Sequence, residues 1–227
     1  MQLISLRTKF LALSVVAIAS LTACSNPTPN QKQAENTSKT ETVGKPTIAQ
    51  GSGMNHDHNM SMDLGPADAD YDLRFIDGMT PHHQGAVDMA KEALQKSKRA
   101  EIKQLANNII KAQNQEIEQM KKWRKAWYPK AADKPMAYNA QMGHMMEMSS
   151  EQMKAMMMST DLGAADADFD KRFLDAMIPH HEGALIMGKD ALSKSKRPEI
   201  KQMSQDILTS QQKEIDQMNE WRKAWYK

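Results

Sequence analysis

The chain has 227 residues, and its 30 Lys and Arg nearly balance 28 Asp and Glu to leave a formal net charge of +2. So small a surplus creates no field that would favour nucleic acid as a partner. Methionine is the compositional outlier, with 20 residues beside 7 His and one Cys, whereas Ala, Lys, Gln and Glu are plentiful and β-branched runs are scarce beyond the first twenty residues, which points to an all-α fold.

The N-terminal residues 1–23 read as an export signal. Arg7 and Lys9 give a positive start, and Phe10 to Leu21 form an apolar stretch too short for a membrane span. The following Leu21-Thr22-Ala23-Cys24 resembles a bacterial lipobox. That resemblance implies cleavage before Cys24 and a lipid anchor to the membrane through its sulfur. The plainer alternative is a secretory signal cut nearby. Residues 24–60 are polar, without apolar periodicity, and read as a tether. The tether ends in Met54-Asn55-His56-Asp57-His58-Asn59-Met60. A short His-rich tract in polar surroundings is a candidate weak metal site, here through Met54, His56, His58 and Met60.

From residue 61 the chain repeats itself at an offset of 98. Pro81-His82-His83 returns as Pro179-His180-His181, and Trp123-Arg124-Lys125-Ala126-Trp127-Tyr128 as Trp221-Arg222-Lys223-Ala224-Trp225-Tyr226. Roughly six in ten aligned positions are identical. The organisation is therefore repeat 1 over 61–128, a Met-rich connector over 129–160, and repeat 2 over 161–227. Each repeat predicts two helices. The first spans about Asp68 to Ser97, with Phe75, Ile76, Met79, Ala86, Met89 and Ala90 at helical spacing, and its copy spans Asp166 to Ser195. Pro81 should kink or interrupt it at the His pair. The second spans about Ala100 to Tyr128, with a stripe of Ile102, Leu105, Ile109, Ile117, Met120, Trp123 and Trp127. A short Lys-Ser-Lys-Arg turn makes the two helices antiparallel neighbours. One helical hairpin cannot bury both its apolar faces, so the two should pair into a four-helix bundle with pseudo-two-fold symmetry. Two separate hairpin modules are the alternative.

The connector places nine Met between Met136 and Met158. Read as a helix, it puts Met142, Met145 and Met146 on one face, with His144 and Met148 close by, and Met153, Met156 and Met157 on another. Thioether sulfur is soft and neutral and selects Cu(I) or Ag(I) over hard cations. The competing reading is an adaptable apolar surface that takes a partner's helix.

A further constellation is Met79, His82, His83 and Met89, copied as Met177, His180, His181 and Met187. On the second helix, Glu116 and Met120 return as Glu214 and Met218. Glu116 lies beside the apolar stripe, and a partly buried carboxylate there needs a partner, either a His ring or a metal on the facing helix. The ordinary alternative is one buried, hydrogen-bonded His beside an exposed one.

The paired Met-x-Pro-His-His and Glu-Ile-x-Gln-Met-x-x-Trp segments resemble a bacterial family of helical domains long known only as of unknown function. The likeness covers about residues 60–227, and the two-repeat, Met-rich, lipobox-bearing form is similar to a cyanobacterial periplasmic copper-binding member. The resemblance implies a helical bundle with a ferritin-like look, binding of Cu(I) and Cu(II), and a role in copper tolerance outside the cytoplasm. Its His pair carries over to His82, His83, His180 and His181, and its preceding Met to Met79 and Met177.

The leading expectation is thus a non-enzymatic, exported copper-binding protein that buffers or delivers copper, with a copper exporter or sensor protein as a possible partner. A di-iron oxidase would ask for Glu-x-x-His motifs, and none occurs. Because a free imidazole titrates near pH 6.5, histidine-held metal is expected to leave below about pH 5.5 while thioether-held Cu(I) stays.

Overall fold

The computed structural model describes residues 62–227; the export signal, Cys24, the tether and Met54, His56, His58 and Met60 lie outside the described residues. Four long helices dominate: α1 (Tyr71–Lys96), α2 (Ala100–Trp127), α4 (Phe169–Lys194) and α5 (Pro198–Trp225). Between the hairpins lie β1 (Met136–Asn139), β2 (His144–Glu147) and the short α3 (Ser150–Met157). The helix starts carry the expected acidic residues and the last turns basic ones, each opposing the helix dipole. Pro198 occupies the first turn of α5, where its missing N–H is no loss.

The helices of each repeat pack on one another, and the two hairpins meet through α1 against α4. α1 and α4 run antiparallel. One core cluster joins the late half of α1 (Met89, Ala93) and early α2 (Ile102, Ile109) to early α4 (Phe169, Phe173) and late α5 (Met218). The other reverses the roles, joining Tyr71, Phe75 and Met120 to Met187, Ala191 and Ile207. Polar ties repeat the symmetry at both ends. Lys96 Nζ donates to the Gly163 carbonyl at 2.6 Å and Lys194 Nζ to that of Gly65 at 2.7 Å. Arg99 lies over the Trp225 ring at 4.1 Å, and Arg197 over Trp127 at 4.0 Å. The architecture is the expected all-α four-helix bundle.

Two local expectations are corrected. α1 continues through Pro81 and α4 through Pro179. Proline removes one i→i−4 bond, but residues on both sides of it are buried, and packing overrides the local penalty. The connector is also not one helix. Residues 136–147 form an antiparallel hairpin with Tyr138 opposite Met145 and Ala137 opposite Met146, and only Ser150–Met157 is helical. Asn139 Oδ1 accepts from the backbone N–H of Gln141 and Met142, and Gly143 turns at φ +70°. Such an Asn turn with a left-handed Gly outweighs the helix propensity of Met. Met145 and Met146 therefore alternate between strand faces and do not share one with Met142.

The hairpin breaks the symmetry. It is held by Asp77, whose Oδ2 accepts from Met136 N–H at 2.9 Å while its Oδ1 accepts from Arg124 Nε at 2.5 Å. Asp77 is 2% exposed, and burial raises its pKa against the pull of Arg124. Its repeat partner Asp175 pairs with Arg222 at 2.6 Å but is 32% exposed. Removing one member of a buried ion pair strands the other. Asp77→Ala is therefore expected to cost about 3–5 kcal/mol, and Asp175→Ala less than about 1 kcal/mol, in urea unfolding. Equal losses would contradict this division.

Candidate metal centre

Midway along the bundle, where α1 crosses α4, all four histidines of the two pairs are fully buried. Successive helix positions point about 100° apart, so each pair splits its rings between two neighbours. His82 and His180 face each other across the pseudo-two-fold axis with ring centroids 3.9 Å apart. His83 turns to α2, where its Nε2 lies 2.6 Å from Glu116 Oε2, and His181 turns to α5, 2.7 Å from Glu214 Oε2. Glu116 and Glu214 thus find imidazole partners on the facing helix.

The hydrogen-bond network assigns the tautomers. A carboxylate only accepts, so His83 and His181 carry their hydrogen on Nε2. His180 Nε2 is 3.0 Å from the His82 carbonyl and 3.1 Å from that of Met157, so it too is the donor. The Nδ1 atoms of His83, His180 and His181 then hold free lone pairs, and none has a partner; neither nitrogen of His82 has one. An imidazole fixed by a carboxylate or carbonyl at one nitrogen is prepared to ligate through the other. Centroids are 6.4 Å apart in the His82–His83 pair and 6.2 Å in the His180–His181 pair. With metal–nitrogen bonds of about 2 Å, two rings sharing one ion in line would have centroids roughly 6 Å apart. The unpartnered imidazole nitrogens suit a soft ion, and the centroid spacing leaves room for one between the rings of a pair.

Electrostatics favours the same use. Burial holds His82 well below the ordinary imidazole value, with the nearby His180, His83 and His181 adding to the effect. Burial likewise lowers His180 to about 3 despite its two carbonyl bonds. Neutral imidazole is the metal-binding form. Among the described residues no group of three or more His, Cys, Asp or Glu side chains converges, so an ion in this centre would take at most two such donors, and any others from sulfur or main chain.

Residues 72–222 match the family described as Domain of unknown function (DUF305). The chain belongs to the DUF305 family. Its fold is similar to that of CopM. The Cu(II)-bound form of CopM is 41% identical with a TM-score of 0.55, covering 68% of this chain and 97% of that one. The Cu(I)-bound form is 36% identical at 0.53, covering 69% and 98%. The Ag-bound form obtained by soaking is 37% identical at 0.54, with the same coverage. An uncharacterized protein of Acanthamoeba polyphaga mimivirus is 50% identical over 50 residues, 22% of this chain and 33% of that protein, so the match spans about a third of that relative.

The other candidate ligands of this DUF305 chain scatter. Met79, Met120 and Met187 share one buried core cluster, and Met89, Met177 and Met218 share the other, so each His pair's flanking methionines are divided between the two ends. Met142 and Met146 stand on the hairpin, 58% and 40% exposed, where Met146 Sδ accepts from Asn139 Nδ2 at 3.3 Å. His144 Nδ1 lies 3.1 Å from the Met142 carbonyl, and His144 and Met145 belong to the same hairpin. Met148 is buried. Sequence reasoning missed Gly85 and Gly183, which follow each His pair by two residues. A Cβ on Gly85 would collide with the Met157 carbonyl. A glycine recurring inside two helical runs was the available signal.

Burial of His82 and His180 sets a pH dependence for the metal-free protein. Both imidazoles bind a proton near 6.5 when unfolded and resist it when folded. Stability is then full above pH 6.5 and falls as pH drops toward about 3, by about 1.4 kcal/mol per pH unit for each such ring. Urea unfolding between pH 7 and 4 should show this decline, and His180→Gln should reduce its slope; a slope unchanged by that substitution would contradict the assignment. The same burial moves proton competition for these rings below the pH 5.5 expected of free imidazole.

Proposed function

We propose that this DUF305 protein is an extracytoplasmic copper-binding protein that holds Cu(I) between the Nδ1 atoms of His82 and His83 and, in the second repeat, of His180 and His181. One observation carries the reading: four fully buried imidazoles whose Nδ1 atoms meet no partner. A desolvated site of neutral donors suits a soft monovalent ion, which needs little charge compensation, better than a hard divalent one. The likeness to CopM, known in Cu(I)-, Cu(II)- and Ag-bound forms, supports copper and silver as the ions. Cu(II) would take the exposed imidazole of His144 on the hairpin, with the His56-Asp57-His58 tract as a second candidate on its sequence alone.

Buffering, delivery or resistance, and not catalysis, is the role we assign. Export and anchoring through Cys24 rest on the lipobox-like Leu21-Thr22-Ala23-Cys24. Among the described residues no helix is long and apolar enough to cross a membrane. A copper exporter or sensor would be the partner in handover. The second reading, a module that binds a partner helix, draws on the exposure of Met142 and Met146.

Anaerobic titration against a Cu(I) chelator is the test. The mature protein should retain at least two Cu(I), and His180→Gln/His181→Gln should remove one equivalent while Met142→Ile/Met146→Ile removes none of the tightly held ions. Absence of retained Cu(I), or retention unaffected by loss of the histidines, would defeat the proposal.

A further inference from the structure

The two His pairs are equivalent by sequence, but their surroundings are not. His180 uses its Nε2–H on two backbone carbonyls, whereas His82, equally buried, has neither nitrogen bonded. What faces His82 Nε2 is different in kind. A point one bond out from Gly183 Cα, where a larger residue would carry its Cβ, lies 3.0 Å from His82 Nε2, 3.2 Å from Met158 Sδ and 3.7 Å from Met62 Sδ. One imidazole nitrogen and two thioether sulfurs therefore lie within 3.7 Å of one point beside a bare glycine.

Resting on the copper reading above, we infer that His82 Nε2, Met62 Sδ and Met158 Sδ form a second soft-metal position, for Cu(I) or Ag(I), over Gly183, and that the second repeat has no twin of it. The donors are neutral and soft, so they select a monovalent soft ion. An ion would lie farther from Gly183 than that point, which is one bond from Cα, and flexible thioether arms can converge on it there together with the His82 ring.

Met158 gives an independent sign. It is the one non-glycine at positive φ among the described residues, at φ +45°. A left-handed backbone is strained for a bulky side chain, whose Cβ crowds the following carbonyl. Glycine or asparagine would hold this helix end more cheaply, yet the chain places a methionine there, whose sulfur lies 3.2 Å from the same point that His82 Nε2 approaches to 3.0 Å.

The twin position is closed. Around Gly85 the corresponding space is taken by the Met157 carbonyl, which accepts from His180 Nε2. At the repeat position of Met62 stands Thr160, a hard oxygen donor in place of sulfur. A neutral imidazole has one lone pair, so His82 serves either this position through Nε2 or the His83 side through Nδ1. One ion in the first half thus has two alternative seats, and its counterpart in the second half has one.

The difference is tested with the mature chain labelled at the methionine methyl carbons, titrated with Ag(I), in wild type, His83→Gln and His181→Gln. The Met62 and Met158 methyl resonances should move in wild type, and move fully in His83→Gln, which should keep one ion in its first half. His181→Gln, without a thioether seat to fall back on, should lose its second-half ion. Met62→Leu/Met158→Leu in the His83→Gln background should weaken the first-half ion by at least about tenfold, with the fold monitored by circular dichroism. Ag(I) retained with Met62 and Met158 unmoved in both wild type and His83→Gln would overturn this position and leave the copper reading standing. Failure of wild type to retain Ag(I) would overturn both.

Discussion

The bundle is organised around one costly act, the complete burial of four imidazoles at the crossing of α1 and α4. Buried polar atoms are normally paired. Here five ring nitrogens are not, and each such orphan costs roughly 1–3 kcal/mol. The two apolar clusters at either end of the bundle supply the burial that tolerates this layer. An ion that takes up the lone pairs would return part of that cost as binding free energy, coupling occupancy to stability. The same burial keeps His82 and His180 neutral and ready for a metal in acid.

Each pair is held from outside the layer. Glu116 and Glu214 fix the tautomers of His83 and His181 from the second helix of each repeat. Gly85 lets the C-terminal end of α3 come close enough for the Met157 carbonyl to reach His180. The connector thus does more than link two copies. It packs on α1, is pinned by Asp77, and inserts its end beside the histidine layer. That insertion makes two nearly identical repeats chemically unequal, because carbonyl oxygen faces one central imidazole and sulfur the other.

The repeat made much of this legible in the sequence. Apolar spacing, the Lys-Ser-Lys-Arg turn and the need to cover two apolar faces led to the four helices and their pairing. Glu116 was identifiable as a carboxylate short of a partner because it sits beside the stripe of α2. Other features could not be read. Composition favoured a helical connector, but the turn chemistry of Asn139 and Gly143 decided for a hairpin. Proline chemistry suggested a kinked or interrupted α1, and interruption does not occur, because tertiary packing carries the helix past Pro81. Met79 and Met89 fall into different core clusters because ten residues of helix set them about 15 Å apart, and the antiparallel crossing of α1 and α4 brings Met187 to the end that holds Met79. Pairings of that kind depend on how the two hairpins dock, which no local pattern encodes.

The central claim is that copper is taken up by the buried imidazoles and not merely by exposed methionines. Anomalous scattering from crystals of the silver-loaded protein addresses it most directly. The account requires strong silver peaks inside the bundle, within bonding distance of His82 or His83 and of His180 or His181. Silver found only on the hairpin around Met142 and Met146, with the histidine layer empty, would contradict it.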